Sequence, residues 1–275
     1  MTGLVRLLAI ALGALPLGCS ALAPSPDHTV ALGTTSDGYL VHGKALADRG
    51  PGFVRARPGE PTRYGTEALR DTLTRAAAAV AHTFPGTEPL RVGDLSYPFG
   101  GRHPRHRSHR VGRDVDVIFY LVDEGGRSVR GRGWLAMDRH GMARDPGAGD
   151  VLFFDTARNW HFVRTLLADG GARIQWIFCS REVKARLLEY AAAVEPDPTI
   201  LARAAWVLHQ PSRGHPHDDH FHVRIFCDDR ERAEGCIDTE PFWPWTREAE
   251  KVAVGTFPRP DHSDAALVRL LTEDP

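Results

Sequence analysis

Two short stretches hold most of the residues in this sequence that could bind a metal or transfer protons. Residues 215–224 read HPHDDHFHVR, and residues 100–120 read GGRHPRHRSHRVGRDVDVIFY. Together they contain seven of the chain's 14 histidines, so imidazole chemistry is concentrated in two places. Either stretch alone is a weak signal, because histidine pairs arise by chance. Their combination indicates a shared site for metal binding or for acid and base catalysis.

The downstream stretch is expected to form a strand with one polar face. Alternate side chains of a β-strand point to the same side, so His220, His222 and Arg224 share a face opposite three apolar residues. A spacing of two residues separates the imidazoles by roughly 6.6 Å along the strand. Both histidines can therefore serve one site.

The upstream stretch adds carboxylates in the same way. Alternation in DVDVIF places Asp114 beside Asp116, and His109 lies in the glycine-containing loop just before them, from which it can fold back. Two imidazoles and one carboxylate suit zinc, and a fourth position left to water is typical of a catalytic site. The four cysteines are too few and too poorly spaced for a structural zinc site. We therefore expect one catalytic zinc ion per chain, on the face of a sheet.

Helix and strand signals alternate irregularly along the chain. Apolar residues at intervals of three or four, with Thr66 as a candidate N-cap of the first run, predict amphipathic helices. Runs of β-branched and aromatic residues predict strands. The helices are predicted over 67–84, about 157–168 and after residue 180, and the strands over 114–122, 173–179 and 220–226. This mixture favours an α+β fold: a single domain with a mainly antiparallel central sheet flanked by helices.

The N-terminal residues have the pattern of an export signal. Residues 4–18 are apolar apart from Arg6, which is short for a membrane span but fits a signal-peptide core. The run ends at Gly18-Cys19-Ser20, similar to the signal of bacterial lipoproteins, in which a lipid is attached to the cysteine. Lipidation of Cys19 is therefore expected, with a plain secretory signal peptide as the alternative.

Charge and cysteine content narrow the partners and the compartment. The net charge of −1 at pH 7 gives no indication of a nucleic-acid partner. An exported chain meets an oxidising compartment, so Cys227 and Cys236, which flank a short polar loop, are predicted to form a disulfide. Cys179 lies in an apolar run and is expected to be buried and unpaired.

The two histidine-rich motifs together resemble a known family. HRSHRVGRDVD, followed at a distance by HDDHFHVR, is similar to the signature of the penicillin-insensitive murein endopeptidases. These belong to a wider group with lysostaphin-type enzymes, D-Ala-D-Ala metallopeptidases and hedgehog zinc domains. The similarity also takes in GDLSYPFGGR and the segment that ends in IQWIFCS, and it covers about residues 37–227. The paired motif is far more specific than either half.

The resemblance implies a role for most residues of the site. The implied zinc ligands are His109, Asp116 and His222. The implied catalytic histidine is His220, assisted by His217. His106 would line the site. Dipeptidases of the group place a glutamate base shortly before the last ligand. Asp219 lies in that position here, which leaves a carboxylate base open. Asp114 and Arg224, on the same strand faces, are expected around the ligands or the substrate.

The implied function is that of an exported zinc endopeptidase, held in the periplasm by a lipid on Cys19. It would hydrolyse peptide cross-links between peptidoglycan stem peptides with metal-activated water. The alternatives are a D,D-carboxypeptidase or dipeptidase of the same group and a non-catalytic zinc-containing domain that binds the cell wall. Both assisting histidines are present, which favours an enzyme. Membrane contact is expected only through the lipid, and the oligomeric state is left open.

The predicted segments are a signal peptide at 1–19, a tether at 20–36, a metallopeptidase domain at 37–245 and a C-terminal extension at 246–275.

Overall fold

A computed structural model describes residues 28–147 and 149–246, which adopt an α+β fold as the sequence predicts. The predicted signal peptide with Cys19, the first part of the tether and the C-terminal extension from residue 247 lie outside the described residues. Within the two described ranges, no helix combines the length and the apolar character that crossing a membrane requires.

Fifteen strands and five helices follow one another in the described ranges. The strands are β1 (Val30–Thr34), β2 (Asp37–Val41), β3 (Lys44–Ala45), β4 (Arg49–Gly50), β5 (Phe53–Arg55), β6 (Tyr64–Gly65), β7 (Leu90–Val92), β8 (Asp114–Ile118), β9 (Leu121–Val122), β10 (Ser128–Val129), β11 (Met142–Arg144), β12 (Val151–Phe154), β13 (Ile174–Phe178), β14 (Leu208–His209) and β15 (His220–Ile225). The helices are α1 (Glu67–Thr83), α2 (Thr156–Ala168), α3 (Arg181–Val194), α4 (Pro198–Val207) and α5 (Asp229–Ala233).

The main sheet has seven strands in the order β14-β13-β15-β8-β7-β5-β4. The pairs β14–β13 and β7–β5 are parallel and the other neighbours are antiparallel, so the sheet is mixed rather than uniform. A second sheet has the order β10-β9-β12-β11, and β1-β2 and β3-β6 are separate pairs. β15 and β8 lie in the middle of the main sheet, where each is hydrogen-bonded on both sides.

The core lies under one face of β15. Phe221, Val223 and Ile225 are each no more than 1% exposed, as their alternation with polar residues predicts. The ring of Phe221 stacks on that of Phe162 from α2, with centroids 6.4 Å apart. α2 also packs against α1, α3 and α4. This helical layer covers the apolar face and leaves the opposite face of β15 to its histidines.

Side-chain caps begin the predicted helices. Thr66 accepts a hydrogen bond from the backbone N–H of Leu69 at the start of α1, and Ser180 accepts one from Val183 at the start of α3. α4 also begins with a capping signal, since Asp197 is its N-cap and Pro198 takes the first helical position. The sequence patterns were not used to predict this helix. Helical signals of this kind are local, so α4 was predictable in principle.

The predicted strand over 114–122 is interrupted. β8 ends at Ile118 and β9 begins at Leu121. The amide of Asn159 on α2 accepts the N–H of Tyr120 at 3.1 Å and donates to its carbonyl at 2.8 Å. A helix side chain thus replaces a strand partner, and the chain passes from the main sheet to the second sheet. Prediction of one continuous strand was wrong because this contact joins residues distant in sequence.

A disulfide joins Cys227 and Cys236, as their spacing predicts, and Cys179 is buried and unpaired. The disulfide closes a loop that contains α5 and directly follows β15.

Residues assigned to the tether also take part in the fold, because β1 pairs with β2. The backbone N–H of Ala31 in β1 donates to Glu231 of α5 at 3.3 Å. β1 is therefore anchored to the disulfide loop.

Candidate metal centre

The middle of the main sheet brings the two histidine-rich stretches together. In the antiparallel pair of β15 and β8, His222 lies opposite Asp116 and Arg224 lies opposite Asp114. Both aspartates are fully buried, and His222 is 5% exposed. Side chains expected to share one face from sequence alternation do lie side by side.

His109 reaches this face from the loop before β8 and is fully buried. Its φ of 62° lies in the left-handed region that non-glycine residues seldom adopt. The hydroxyl of Ser96 donates to the His109 carbonyl at 2.7 Å and accepts the N–H of Gly112 at 2.7 Å. Such backbone strain persists only where neighbouring groups hold it, and it is concentrated at functional sites.

Three potential ligand atoms converge at one point. Nε2 of His109 and Nδ1 of His222 lie 3.3 and 3.2 Å from the same Oδ1 of Asp116, and 3.4 Å from each other. A tetrahedral zinc ion with bonds of about 2.0–2.1 Å holds its ligand atoms about 3.3–3.4 Å apart. Among the described residues, neither buried oxygen of Asp116 has a hydrogen-bond partner. A buried carboxylate that makes no hydrogen bond is costly unless a cation satisfies it, and imidazole nitrogens surround this one, so these residues fit zinc.

Asp114 supports this arrangement from behind His222. Nε2–H of His222 donates to Oδ1 of Asp114 at 2.7 Å, and Nε of Arg224 donates to the same oxygen at 2.6 Å. Burial raises the pKa of Asp114, but Arg224 and His222 lower it more, and the net pKa lies well below its usual value. The ionised carboxylate can only accept, so the proton of His222 sits on Nε2 and the lone pair of Nδ1 faces the centre.

His220 lies beside the three ligand atoms in the opposite orientation. Its Nδ1 is hydrogen-bonded to Oδ1 of Asp219, and its Nε2 lies 3.5 Å from Oδ1 of Asp116. Burial lowers the pKa of His220, but the carboxylates of Asp116 and Asp219 outweigh it and raise the pKa to about 9. Because Asp219 occupies Nδ1, Nε2 is the ring nitrogen that faces the three potential ligand atoms.

His217 borders the centre from the loop before β15. Its φ is 56°, and its ring lies 4.9 Å from that of His220 and 5.7 Å from that of His222. Burial is the largest cause that lowers the pKa of His217 to about 3, followed by its electrostatic interaction with the neighbouring imidazoles of His220 and His222. His217 is therefore a neutral hydrogen-bonding group at neutral pH.

His106 links the centre to a carboxylate that the sequence reading did not single out. Its Nε2 lies 3.3 Å from Oδ2 of Asp116 and 3.1 Å from Oδ2 of the buried Asp94. Asp94 also accepts hydrogen bonds from Arg105, Arg57 and Thr62. Burial raises the pKa of Asp94, but these donors lower it well below its usual value. Because two guanidinium groups already neutralise it, Asp94 orients His106 rather than offering a second metal position.

Three residues of the site were missed by sequence reasoning: Asp94, Ser96 and Trp134. Asp94 and Ser96 lie in GDLSYPFGGR, a segment that carries part of the family resemblance and could have indicated them. Trp134, whose ring lies 4.9 Å from that of His220, has no local signal. Its place depends on a long connection between β10 and β11.

Comparison with known proteins settles the family. A peptidase family described as penicillin-insensitive murein endopeptidase matches residues 31–247. The chain belongs to this family. The resemblance read from the two histidine motifs is thereby confirmed. Residues 109, 116 and 222, whose side chains meet in the centre, all fall within the matched range of the murein endopeptidase family.

Two relatives carry the same name. The penicillin-insensitive murein endopeptidase of Haemophilus influenzae is 26% identical over 212 residues, which cover 74% of this chain and 66% of the relative. That of Pectobacterium atrosepticum is 31% identical over 129 residues, which cover 43% of this chain and 45% of the relative. The chain thus spans just under two thirds and just under half of the lengths of these murein endopeptidases.

Proposed function

We propose that this protein is a zinc-dependent endopeptidase that hydrolyses the peptide cross-links of peptidoglycan. The observation that carries the proposal is the convergence of His109, Asp116 and His222 at mutual distances of 3.2–3.4 Å. Membership of the murein endopeptidase family and the names of the relatives support the substrate class. Peptidoglycan lies outside the cytoplasmic membrane, which agrees with an export signal and a lipid on Cys19.

The donor set favours zinc over other common ions. Magnesium and calcium prefer six or more oxygen ligands, whereas two imidazole nitrogens and one carboxylate oxygen are typical of catalytic zinc. Nε2 of His109, Oδ1 of Asp116 and Nδ1 of His222 would hold the ion. When bound, zinc supplies Lewis acidity, which lowers the pKa of water to about 7 and polarises a peptide carbonyl.

The chain's own residues would direct protons around the scissile bond. Asp219 holds Nδ1 of His220, so Nε2 is the atom that would exchange protons with the substrate. The charge of Asp116 raises the pKa of His220, and a cation bound to Asp116 would offset that charge, so that Nε2 could take a proton from the attacking water and return one to the leaving amine. Neutral His217, whose ring neighbours that of His220, would donate a hydrogen bond to charge that develops on the carbonyl oxygen. Asp219 is turned toward His220, which supports an orienting role over a separate carboxylate base.

Digestion of purified cross-linked muropeptides tests the activity and separates it from its rivals. An endopeptidase converts dimers into monomers, and a D,D-carboxypeptidase releases terminal D-Ala from both. We expect monomers, with loss of activity in a chelator and recovery on addition of zinc. Dimers that survive with only D-Ala released would support the carboxypeptidase. Zinc-loaded protein that binds muropeptides without cleaving them would support the binding domain.

A further inference from the structure

Trp134 contacts the proposed catalytic histidine directly. The rings of Trp134 and His220 have centroids 4.9 Å apart and lie at 89° to each other, an edge-to-face arrangement. Trp134 belongs to the connection between β10 and β11 and is partly buried. Aromatic pairs in this geometry attract each other and restrict each other's rotation.

Gly93 provides the space in which the indole sits. A Cβ atom at Gly93 would lie 2.5 Å from Cη2 of Trp134 and 3.2 Å from Cβ of Asp116. The N–H of Gly93 donates to the carbonyl of Asp116 at 2.8 Å, so Gly93 continues the sheet beside the metal centre. The missing side chain lets the indole lie on the sheet next to Asp116.

Arg57 holds the indole from another direction. Its guanidinium carbon lies 5.5 Å from the centroid of the Trp134 ring, a cation–π distance. Nη1 of Arg57 also donates to Asp94 at 3.0 Å, which fixes the guanidinium to the buried network behind His106. Trp134 is thus positioned between Gly93, Arg57 and His220.

We propose that Trp134 is a positioning residue that fixes the imidazole of His220 in the orientation needed for proton transfer. The hydrogen bond from Nδ1 of His220 to Asp219 fixes one ring atom, and the rings of His217 and Trp134, each 4.9 Å from the imidazole, limit its tilt about that bond. Of these two rings, that of Trp134 meets the imidazole edge to face, and this contact keeps Nε2 aimed at the metal centre. The proposal rests on the proposed function, because it assumes that His220 transfers the proton.

A double-mutant cycle tests whether Trp134 acts through His220. Trp134→Ala should lower kcat on cross-linked muropeptides by on the order of 10- to 100-fold, with KM and zinc content unchanged, since small displacements of a reacting group cost this much. Trp134→Phe, which retains an aromatic ring, should recover most of the loss. In a His220→Ala background, Trp134→Ala should cause no further loss in residual activity. An equal loss in both backgrounds, or a rise in KM alone, would overturn the proposal.

NMR of the zinc-free protein gives a readout that does not require activity. The nuclear Overhauser contacts between the ring protons of His220 and His217, assigned by their absence in His220→Ala, should change in Trp134→Ala and in Gly93→Ala, because both variants remove the indole from its present place and let the imidazole move. Contacts that stay as in the wild type in both variants would contradict the positioning role, even where chemical shifts change, because loss of the indole ring current alone shifts nearby protons. A wild-type protein that cleaves no muropeptide would instead refute the proposed function, and the NMR comparison then decides the positioning separately.

Discussion

Two histidines separated by one residue have opposite orientations in this site. His222 donates from Nε2 to Asp114 and turns Nδ1 toward the centre, whereas Nδ1 of His220 is bonded to Asp219 and Nε2 is turned inward. The carboxylate partner, and not the position on the strand, therefore decides which nitrogen is available. This difference separates the proposed ligand from the proposed proton carrier.

The first prediction concerns these two histidines. His222→Ala removes a ligand, so it should be purified with little zinc and no activity, as should His109→Ala and Asp116→Ala. His220→Ala should retain near-stoichiometric zinc and lose about 10²–10⁴-fold in kcat, the contribution of one acid–base or oxyanion group. Metal analysis and a muropeptide assay measure both quantities, with His82→Ala, at an exposed position of α1, as the control. Zinc loss in His220→Ala with zinc retention in His222→Ala would reverse the two roles.

The second prediction concerns Asp114, which is fully buried and bonded to His222 and Arg224. Asp114→Asn keeps the shape of the side chain but removes the charge that holds the proton on Nε2 of His222. We expect zinc affinity to fall by about 10- to 100-fold, as is typical for partners of ligating histidines. Competition with a chelator of known affinity measures the change. Unaltered affinity in this variant would show that Asp114 does not tune the ligand.

At the scale of elements, a buried glutamate joins β1 to the disulfide loop that contains α5. Glu231 of α5 is 1% exposed and accepts hydrogen bonds from Ala31 of β1 and from the backbone of Asp228. Burial raises the pKa of Glu231 to about 7, although these bonds and Arg113 lower it. We therefore expect the junction between β1 and the disulfide loop to be sensitive to pH.

The third prediction follows from the sign of this shift. A carboxyl whose folded pKa is raised stabilises the fold below its unfolded pKa, and this contribution is lost as pH rises through about 7. The loss between about pH 4.5 and 7.5 amounts to roughly 3 kcal/mol at one pKa unit per 1.36 kcal/mol. Glu231→Gln should lack this component. Urea unfolding across that range measures it, and parallel pH curves for the two proteins would contradict it.

Local patterns predicted the elements of the site better than their connections. Alternation over a few residues correctly grouped His220, His222 and Arg224, because the period of a strand is set by its own backbone. The break after Ile118 was missed because it depends on Asn159, which lies on a helix about forty residues later. For the same reason Trp134 was not found, since no local pattern specifies a packing partner.

At the scale of the whole molecule, we expect the N-terminal residues to determine where the protein acts. We expect the mature protein to carry a lipid on Cys19, because the apolar run ends there. Cys19→Ala should change a membrane-attached protein into a freely released one, since two or more acyl chains make release slow. Membrane fractionation and the intact mass of the mature protein test this. A mature N-terminus downstream of Cys19 would indicate a plain secretory signal instead.

The order of folding and metal loading follows from the position of the centre in the sheet. Asp116 and His222 become neighbours only when β8 pairs with β15, strands that are about a hundred residues apart and therefore meet late in folding. The apolar core beneath them, which includes Val115, Val117 and Phe221, contains none of the proposed ligand atoms, so we expect it to form without the ion. Unlike a zinc finger, in which the ion drives folding, this chain should refold at a rate independent of zinc. The metal would then enter a finished protein in a second step whose rate depends on zinc concentration.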